Sequence, residues 1–191
     1  HAATAGSNTG SGRVSCGAGI GGGAFGEGNN IKITGGTVNA TGGEGNDFYH
    51  YGGAGIGGGY QRGANDIIIS GNDTRVTATG KDGGAGIGGG FAGTATDITI
   101  SGDKTHVTAT GGLWGAGIGG GAGGGVENST AGNASNITIS GGTVIATGNG
   151  SAAGIGGGSG VAFVRVPKGG SATDITISGG TVDATGGSHG A

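Results

Sequence analysis

The side chains best suited to proton transfer gather in two short stretches, Asp73 with Arg75 and Asp103 with Lys104 and His106. Aligning the stretches puts Asp73 over Lys104 and Arg75 over His106. A carboxylate, a cation and an imidazole side by side are the groups of general acid–base catalysis. They also make a solvated ion-pair network worth little energy, and we prefer that reading, so no residue is assigned a catalytic role. A second candidate is a column of oxygen ligands. Asn30, Asp66, Asp97, Asn136 and Asp174 each stand directly before an Ile-x-Ile. Calcium takes about six to eight oxygen ligands, which makes Asp66, Asp97 and Asp174 a weak alternative for a Ca²⁺ site. Two members of the column are neutral amides and no acidic neighbours converge on it. The column is therefore expected to cap backbone N–H groups at a corner, and no cofactor is expected.

Aromatic residues are 4% of the chain, so their positions carry weight. Tyr49, Tyr51 and Trp114 lie between one repeat and the next, with Phe48 and His50 in the same excursion as the tyrosines. Their rings could stack on the C–H faces of sugars or pack as a corner, and both readings stand. Tyr49, Tyr51, Trp114 and His50 are the candidate ligand-binding residues. Phe25, Tyr60 and Phe91 follow triple glycines and are expected to form a buried corner stack. Gly17-Ala18-Gly19-Ile20-Gly21-Gly22 satisfies G-x-G-x-x-G, but no helical pattern follows it, so a dinucleotide site is refused.

These residues hang on a repeat. Ala-Gly-Ile-Gly-Gly-Gly occurs five times, its isoleucines being Ile20, Ile56, Ile87, Ile118 and Ile155. Each copy is followed by Ile-x-Ile, at Ile31, Ile67, Ile98, Ile137 and Ile175, and then by Val-x-Ala-Thr, at Val38, Val76, Val107, Val144 and Val182. Three short strand signals per unit, in tandem, predict an all-β, parallel β-solenoid of about five coils, a three-sided β-helix taken as right-handed by default. One coil cannot bury its own apolar face, whereas stacked coils about 4.8 Å apart can. Alternation sends Ala18, Ile20, both isoleucines of Ile-x-Ile, and the valine and alanine of Val-x-Ala inward. The five motif isoleucines are the structural ladder. Gly17, Gly19, Gly21 and Gly23 then point outward as a face nearly free of side chains, or else take a tight path with φ > 0. Outward threonines at Thr41, Thr79, Thr110, Thr147 and Thr185 form an unbroken row beside an irregular one of Asn39, Thr77, Thr108, Ile145 and Asp183. Longer segments at 122–136 and 159–174, and the excursion at 44–51, are expected as corner loops.

Composition narrows the class. Glycine supplies 59 of 191 residues, but with one proline and no three-residue period the chain is not collagen. A net charge of −3 gives no electrostatic case for nucleic acid. No apolar run approaches the ~20 residues of a membrane span, so no membrane insertion is expected. Gly, Ala, Ser, Thr and Asn dominate, with no methionine and a single cysteine, Cys16, a composition in keeping with secreted bacterial surface proteins.

The wording Ile-Thr-Ile-Ser-Gly-Gly-Thr-Val-x-Ala-Thr-Gly, at 137–148 and 175–186, resembles repeats of large bacterial cell-surface proteins. It is also similar to that of pectate-lyase-like carbohydrate-binding solenoids. The resemblance covers nearly the whole chain and is specific to the repeat class. It implies a parallel β-helix at the bacterial cell surface, with polysaccharide or host glycan as partner. Some members of the pectate-lyase-like group are lyases that use Asp-bound Ca²⁺ and an Arg or Lys base; no matching acidic cluster occurs here. The expectation is one solenoid domain over 1–191, a fragment of a longer array, acting as a non-catalytic extracellular adhesin or carbohydrate-binding module. A structural spacer stacking end to end, ice binding through the threonine row, and a lyase or glycosidase are the alternatives, the last the weakest. The chain stops at Ala191, where another Gly-Ile would follow, so self-association through open ends is a further expectation.

Overall fold

The computed structural model describes residues 2–4, 16–45, 52–124, 130–161 and 168–188. β-branched Ile, Val and Thr supply the strands, since they pack well on a pleated surface, and glycine and Asx supply the corners. A short strand, β1 (Ala2–Thr4), precedes the first coil. Coil one holds β2 (Ile20–Gly21), β3 (Gly28–Ile33) and β4 (Thr37–Thr41). Coil two holds β5 (Ile56–Gly57), β6 (Ala64–Ile69) and β7 (Arg75–Thr79), and coil three β8 (Ile87–Gly88), β9 (Ala95–Ile100) and β10 (His106–Thr110). Coil four holds β11 (Ile118–Gly119), β12 (Gly123–Gly124) and β13 (Ala134–Thr147). Coil five holds β14 (Ile155–Gly156), β15 (Gly160–Val161) and β16 (Ala172–Thr185). There is no helix among the described residues.

Every strand pairs in parallel with its equivalent one coil away, Ile with Ile, Val with Val, Ala with Ala, as in Ile67↔Ile98↔Ile137 and Val76↔Val107↔Val144. The chain is thus an all-β parallel β-solenoid. In coils four and five the second and third strands fuse into the 14-residue β13 and β16. Their linking Ser-Gly-Gly is two residues shorter than the turns of coils two and three. Those longer turns bury Thr74 and Thr105, whose hydroxyls donate to the carbonyls of Ser70 (2.6 Å) and Ser101 (2.7 Å). The extra lengths of coils four and five also meet each other: β12 pairs with β15 in a small separate sheet.

The core is one ladder of Ile, Val and Ala, and Ile56, Ile67, Ile69, Ile87, Ile98, Ile100, Ile118, Ile137 and Ile139 are completely buried. The predicted motif ladder is present; its first and last members, Ile20 and Ile155, are half-buried because each has a neighbour on one side only. One rung was not anticipated. β1 pairs with β4 through Ala2↔Asn39, Ala3↔Ala40 and Thr4↔Thr41, so Ala2-Ala3-Thr4 adds one rung to the column of third strands.

The Ala-Gly-Ile-Gly-Gly-Gly segment corrects the picture of three flat sides. It forms rungs of only two residues, and it is a tight inward loop. The N–H of its alanine donates to the carbonyl four residues on in all five copies, as from Ala54 to Gly58 (3.0 Å) and from Ala85 to Gly89 (2.9 Å). The loop drives its isoleucine into the core and returns. The glycine after that isoleucine stands at φ 129–143° in every copy, a region that L side chains rarely adopt. A Cβ on Gly57, Gly88 or Gly119 would overlap the carbonyl oxygen of the next rung's glycine. In coils two to four these glycines are buried, so the glycine face is not an open surface.

Candidate functional site

Each loop joins two corners. One lies between the third strand and the loop, the other just after the triple glycine. Bonds from Tyr60 N–H to the Cys16 carbonyl (2.9 Å), Phe91 to Gly52 (3.1 Å), Ala122 to Gly83 (2.7 Å) and Ser159 to Trp114 (2.9 Å) hold these corners together along one edge of the solenoid. Aromatic residues that are far apart in sequence therefore meet. Tyr60 and Phe91 are buried and stacked, with ring centroids 5.8 Å apart and planes 28° apart. Trp114, Ala92 and Ala122 pack on that pair. Trp114 is half-buried at φ 67°, and its ring lies so close to Gly150 that a Cβ there would overlap it.

Phe25 departs from the expected ladder. It aligns with Gln61 and Ala92, one position beyond Tyr60 and Phe91, because the turns Gly23–Gly26, Gly59–Arg62 and Gly90–Gly93 close in register. All three of these residues take positive φ, at 60°, 56° and 57°. Phe25 consequently meets Tyr60 edge to face, at 5.2 Å and 73°, and stays 53% exposed. Tyr49, His50 and Tyr51 lie outside the described residues. The edge as described is thus Phe25, Tyr60, Phe91 and Trp114, running across coils one to four. Its continuity was missed because neighbours along a solenoid edge are a whole coil apart in sequence. The fusion of the two corners by the tight loop is what joins them.

Polar groups flank this edge. Arg62 Nε donates to the Phe25 carbonyl (3.1 Å). Lys81 and Glu44 form an ion pair at 3.7 Å, with side chains 39% and 58% exposed, worth little in stability at that exposure. Cys16 is buried beneath them and donates from Sγ to the Glu44 carbonyl (2.9 Å). Burial, with the nearby charges of Asp82 and Glu44, raises its pKa and keeps the thiol neutral and inert.

The other candidates resolve differently. Asn30, Asp66, Asp97, Asn136 and Asp174 form the expected column, each with φ between 53° and 57°. They lie inside the second strand of each coil and not at a corner, and Asn and Asp tolerate this left-handed conformation, which accounts for their recurrence there. Asn136 Nδ2 donates to Asp97 Oδ1 between neighbouring coils. Among the described residues no three His, Cys, Asp or Glu side chains gather as a metal cluster. Arg75 and His106 are paired in register, but Asp73, Arg75, Asp103, Lys104 and His106 are all exposed, and His106 Nδ1 lies 3.0 Å from the Lys104 carbonyl. On the third side Thr41, Thr79, Thr110 and Thr147 are half-buried and in register.

A family model described as a beta helix repeat matches residues 31–60, 67–91, 98–122, 137–159 and 175–191, more than half of the chain. Each of the first four matches runs from an Ile-x-Ile to the residue after a triple glycine, so the matched unit ends on the edge described above. Neither the curated proteins nor the solved structures gave a match. With its five matched repeats stacked as parallel rungs, the chain belongs to the beta helix repeat family.

Proposed function

We propose that the chain is a non-catalytic binding module of an extracellular surface that takes polysaccharide along its aromatic edge. The observation that carries this reading is the alignment of Phe25, Tyr60, Phe91 and Trp114 on one edge. Buried Tyr60 and Phe91 act as the rigid backing, and the part-exposed Phe25 and Trp114 are the contact rings. An apolar ring face matches the C–H face of a sugar, and rings held by packing lose little entropy on binding. The resemblance to carbohydrate-binding solenoids supports the same partner class. Polar neighbours such as Arg62, Lys81 and Glu44 supply hydrogen bonds at the rim. The exposure of the acid–base cluster at 73–75 and 103–106 supports a solvated network there rather than a reaction centre.

Affinity electrophoresis against a panel of soluble polysaccharides tests this. Retardation is expected for the chain, and Phe25→Ala should weaken it about tenfold, the ~1.4 kcal/mol scale of one ring contact, with the far-ultraviolet spectrum unchanged. No retardation by any polysaccharide, or retardation of Phe25→Ala and Trp114→Ala as strong as that of the parent chain, overturns the reading. A second reading, ice binding, rests on the registered threonine row of the third side. Absence of thermal hysteresis removes it.

A further inference from the structure

The corner that carries Trp114 is built alike in successive coils. The N–H groups of Lys81, Gly112, Asn149 and Gly187 donate to the carbonyls of Gly53, Gly84, Gly115 and Ala152 of the coil before, at 2.8–3.2 Å. Three of these corners close a four-residue turn, from Gly84 N–H to the Lys81 carbonyl (2.8 Å), Gly115 to Gly112 (2.8 Å) and Ala152 to Asn149 (3.2 Å). The third turn differs chemically from the other two. Of all the asparagines in the chain, only Asn149 precedes a glycine. Gly150 stands at φ 65° in the second place of the turn, a conformation that glycine adopts without strain.

The side chain of Asn149 folds back over this turn. Gly150 N–H donates to Asn149 Oδ1 at 2.8 Å, so the main-chain nitrogen already touches the side-chain amide. Asn149 is exposed, and its equivalents one coil to either side, Gly112 and Gly187, bring no side chain over it. Water therefore reaches the amide. Holding two reacting groups together removes much of the entropic cost of joining them. Rotation about the Asn149 Cβ–Cγ bond then presents the amide carbon to the Gly150 nitrogen, which carries no Cβ to crowd a ring.

We propose that Asn149 is a site of spontaneous deamidation, and that the isoaspartate it yields shifts Trp114. The Gly150 nitrogen gives its proton to hydroxide and forms a bond to Asn149 Cγ. The Cγ–Nδ2 bond breaks, and that nitrogen takes a proton from water and leaves as ammonia. Water opens the resulting five-membered succinimide. Attack at Cγ gives aspartate on an unchanged main chain. Attack at the main-chain carbonyl carbon gives isoaspartate, whose main chain runs through Cβ and Cγ and is one methylene longer. Two contacts of this dipeptide hold the Trp114 corner. Asn149 N–H donates to the carbonyl of Gly115 (3.1 Å), and Gly150 lies so close to the Trp114 ring that a Cβ would overlap it. A lengthened main chain cannot keep both, whereas aspartate, with the shape of asparagine, can. No step involves a ligand, so the inference does not rest on the polysaccharide reading.

Trp114 is the one tryptophan of the chain, so its fluorescence reports this corner alone. The test incubates the chain in mildly alkaline buffer, folded and in urea, and follows it by peptide mass spectrometry. Carboxyl methylation by a protein isoaspartyl methyltransferase counts the isoaspartate. Conversion at position 149 is expected to be at least as fast in the folded chain as in urea, with Asn133 and Asn136 unchanged in the folded chain. The Trp114 emission should shift in step with isoaspartate. Asn149→Gln, which would have to close a six-membered ring, should lose both conversion and shift. Asn149→Asp should keep the emission of the parent. Far-ultraviolet circular dichroism like that of the parent is expected of both variants. Slower conversion in the folded chain than in urea overturns the proposal, and so does an unchanged Trp114 emission while isoaspartate accumulates, or an emission shift that Asn149→Gln retains.

Discussion

At the scale of single residues, Asp97 shows how a side chain that looks like a ligand is selected by its backbone. It stands at φ 53°, as its equivalents do at 53–57°, and an L residue other than Asn or Asp pays about 1–2 kcal/mol for that conformation. Asp97→Asn should therefore stay within about 0.5 kcal/mol of the parent, and Asp97→Ala should lose ~1 kcal/mol, read from urea midpoints. A calcium-dependent rise in midpoint that Asp97→Asn removes would show a ligand role instead. Trp114 teaches the complementary lesson. Its type suggests a binding ring, but its half-burial against Gly150 and the Tyr60–Phe91 pair makes it part of the edge's support as well as its surface.

At the scale of elements, the tight glycine loop is the part that tolerates least change. Gly88 combines φ 134° with a backbone carbonyl of the next rung where a Cβ would stand. Neither obstacle can be relieved by a side-chain rotation. Gly35, in a corner, has nothing within 4 Å of its Cβ position and no left-handed φ. Gly88→Ala should lose more than ~3 kcal/mol or fail to fold, while Gly35→Ala should remain within about 0.5 kcal/mol of the parent. Chemical denaturation of the pair checks this, and equal midpoints would refute the close packing of the loops. The recurrence of Ala-Gly-Ile-Gly-Gly-Gly was plain in the sequence, and so was the inward isoleucine. The course of the loop was not, because alternating glycines fit both an extended strand and a left-handed return. Carbonyls of the neighbouring rung decide between them.

At the scale of the whole molecule, a stack in which each rung touches only its neighbours has stability that varies along its axis. Ile98, in coil three, is completely buried between equivalents on both sides, whereas Ile177 has one neighbour and is 53% exposed. Ile98→Ala should cost about 2–5 kcal/mol, and Ile177→Ala less than ~1 kcal/mol. Thermal and urea unfolding of the two variants measure the gradient; equal losses would mean that the end rung is covered in solution.

The sequence by itself determined the fold class, the number of coils and the inward Ile, Val and Ala positions. Each is a matter of local conformation repeated at a fixed period, and burial in a stack follows from that period. It placed the aromatic residues correctly along the chain but left them as two separate sets, and it left the glycine face undecided between open and covered. Only the tertiary structure decided these. Which corner lies beside which depends on the closure of the loop between them. Whether a glycine faces solvent depends on the backbone of the coil next to it, some 31 to 37 residues away. The three-residue strand Ala2–Thr4 belongs with these, since so short a match to the Ala-Thr of the third strands is recognisable only once its partner, β4, lies alongside.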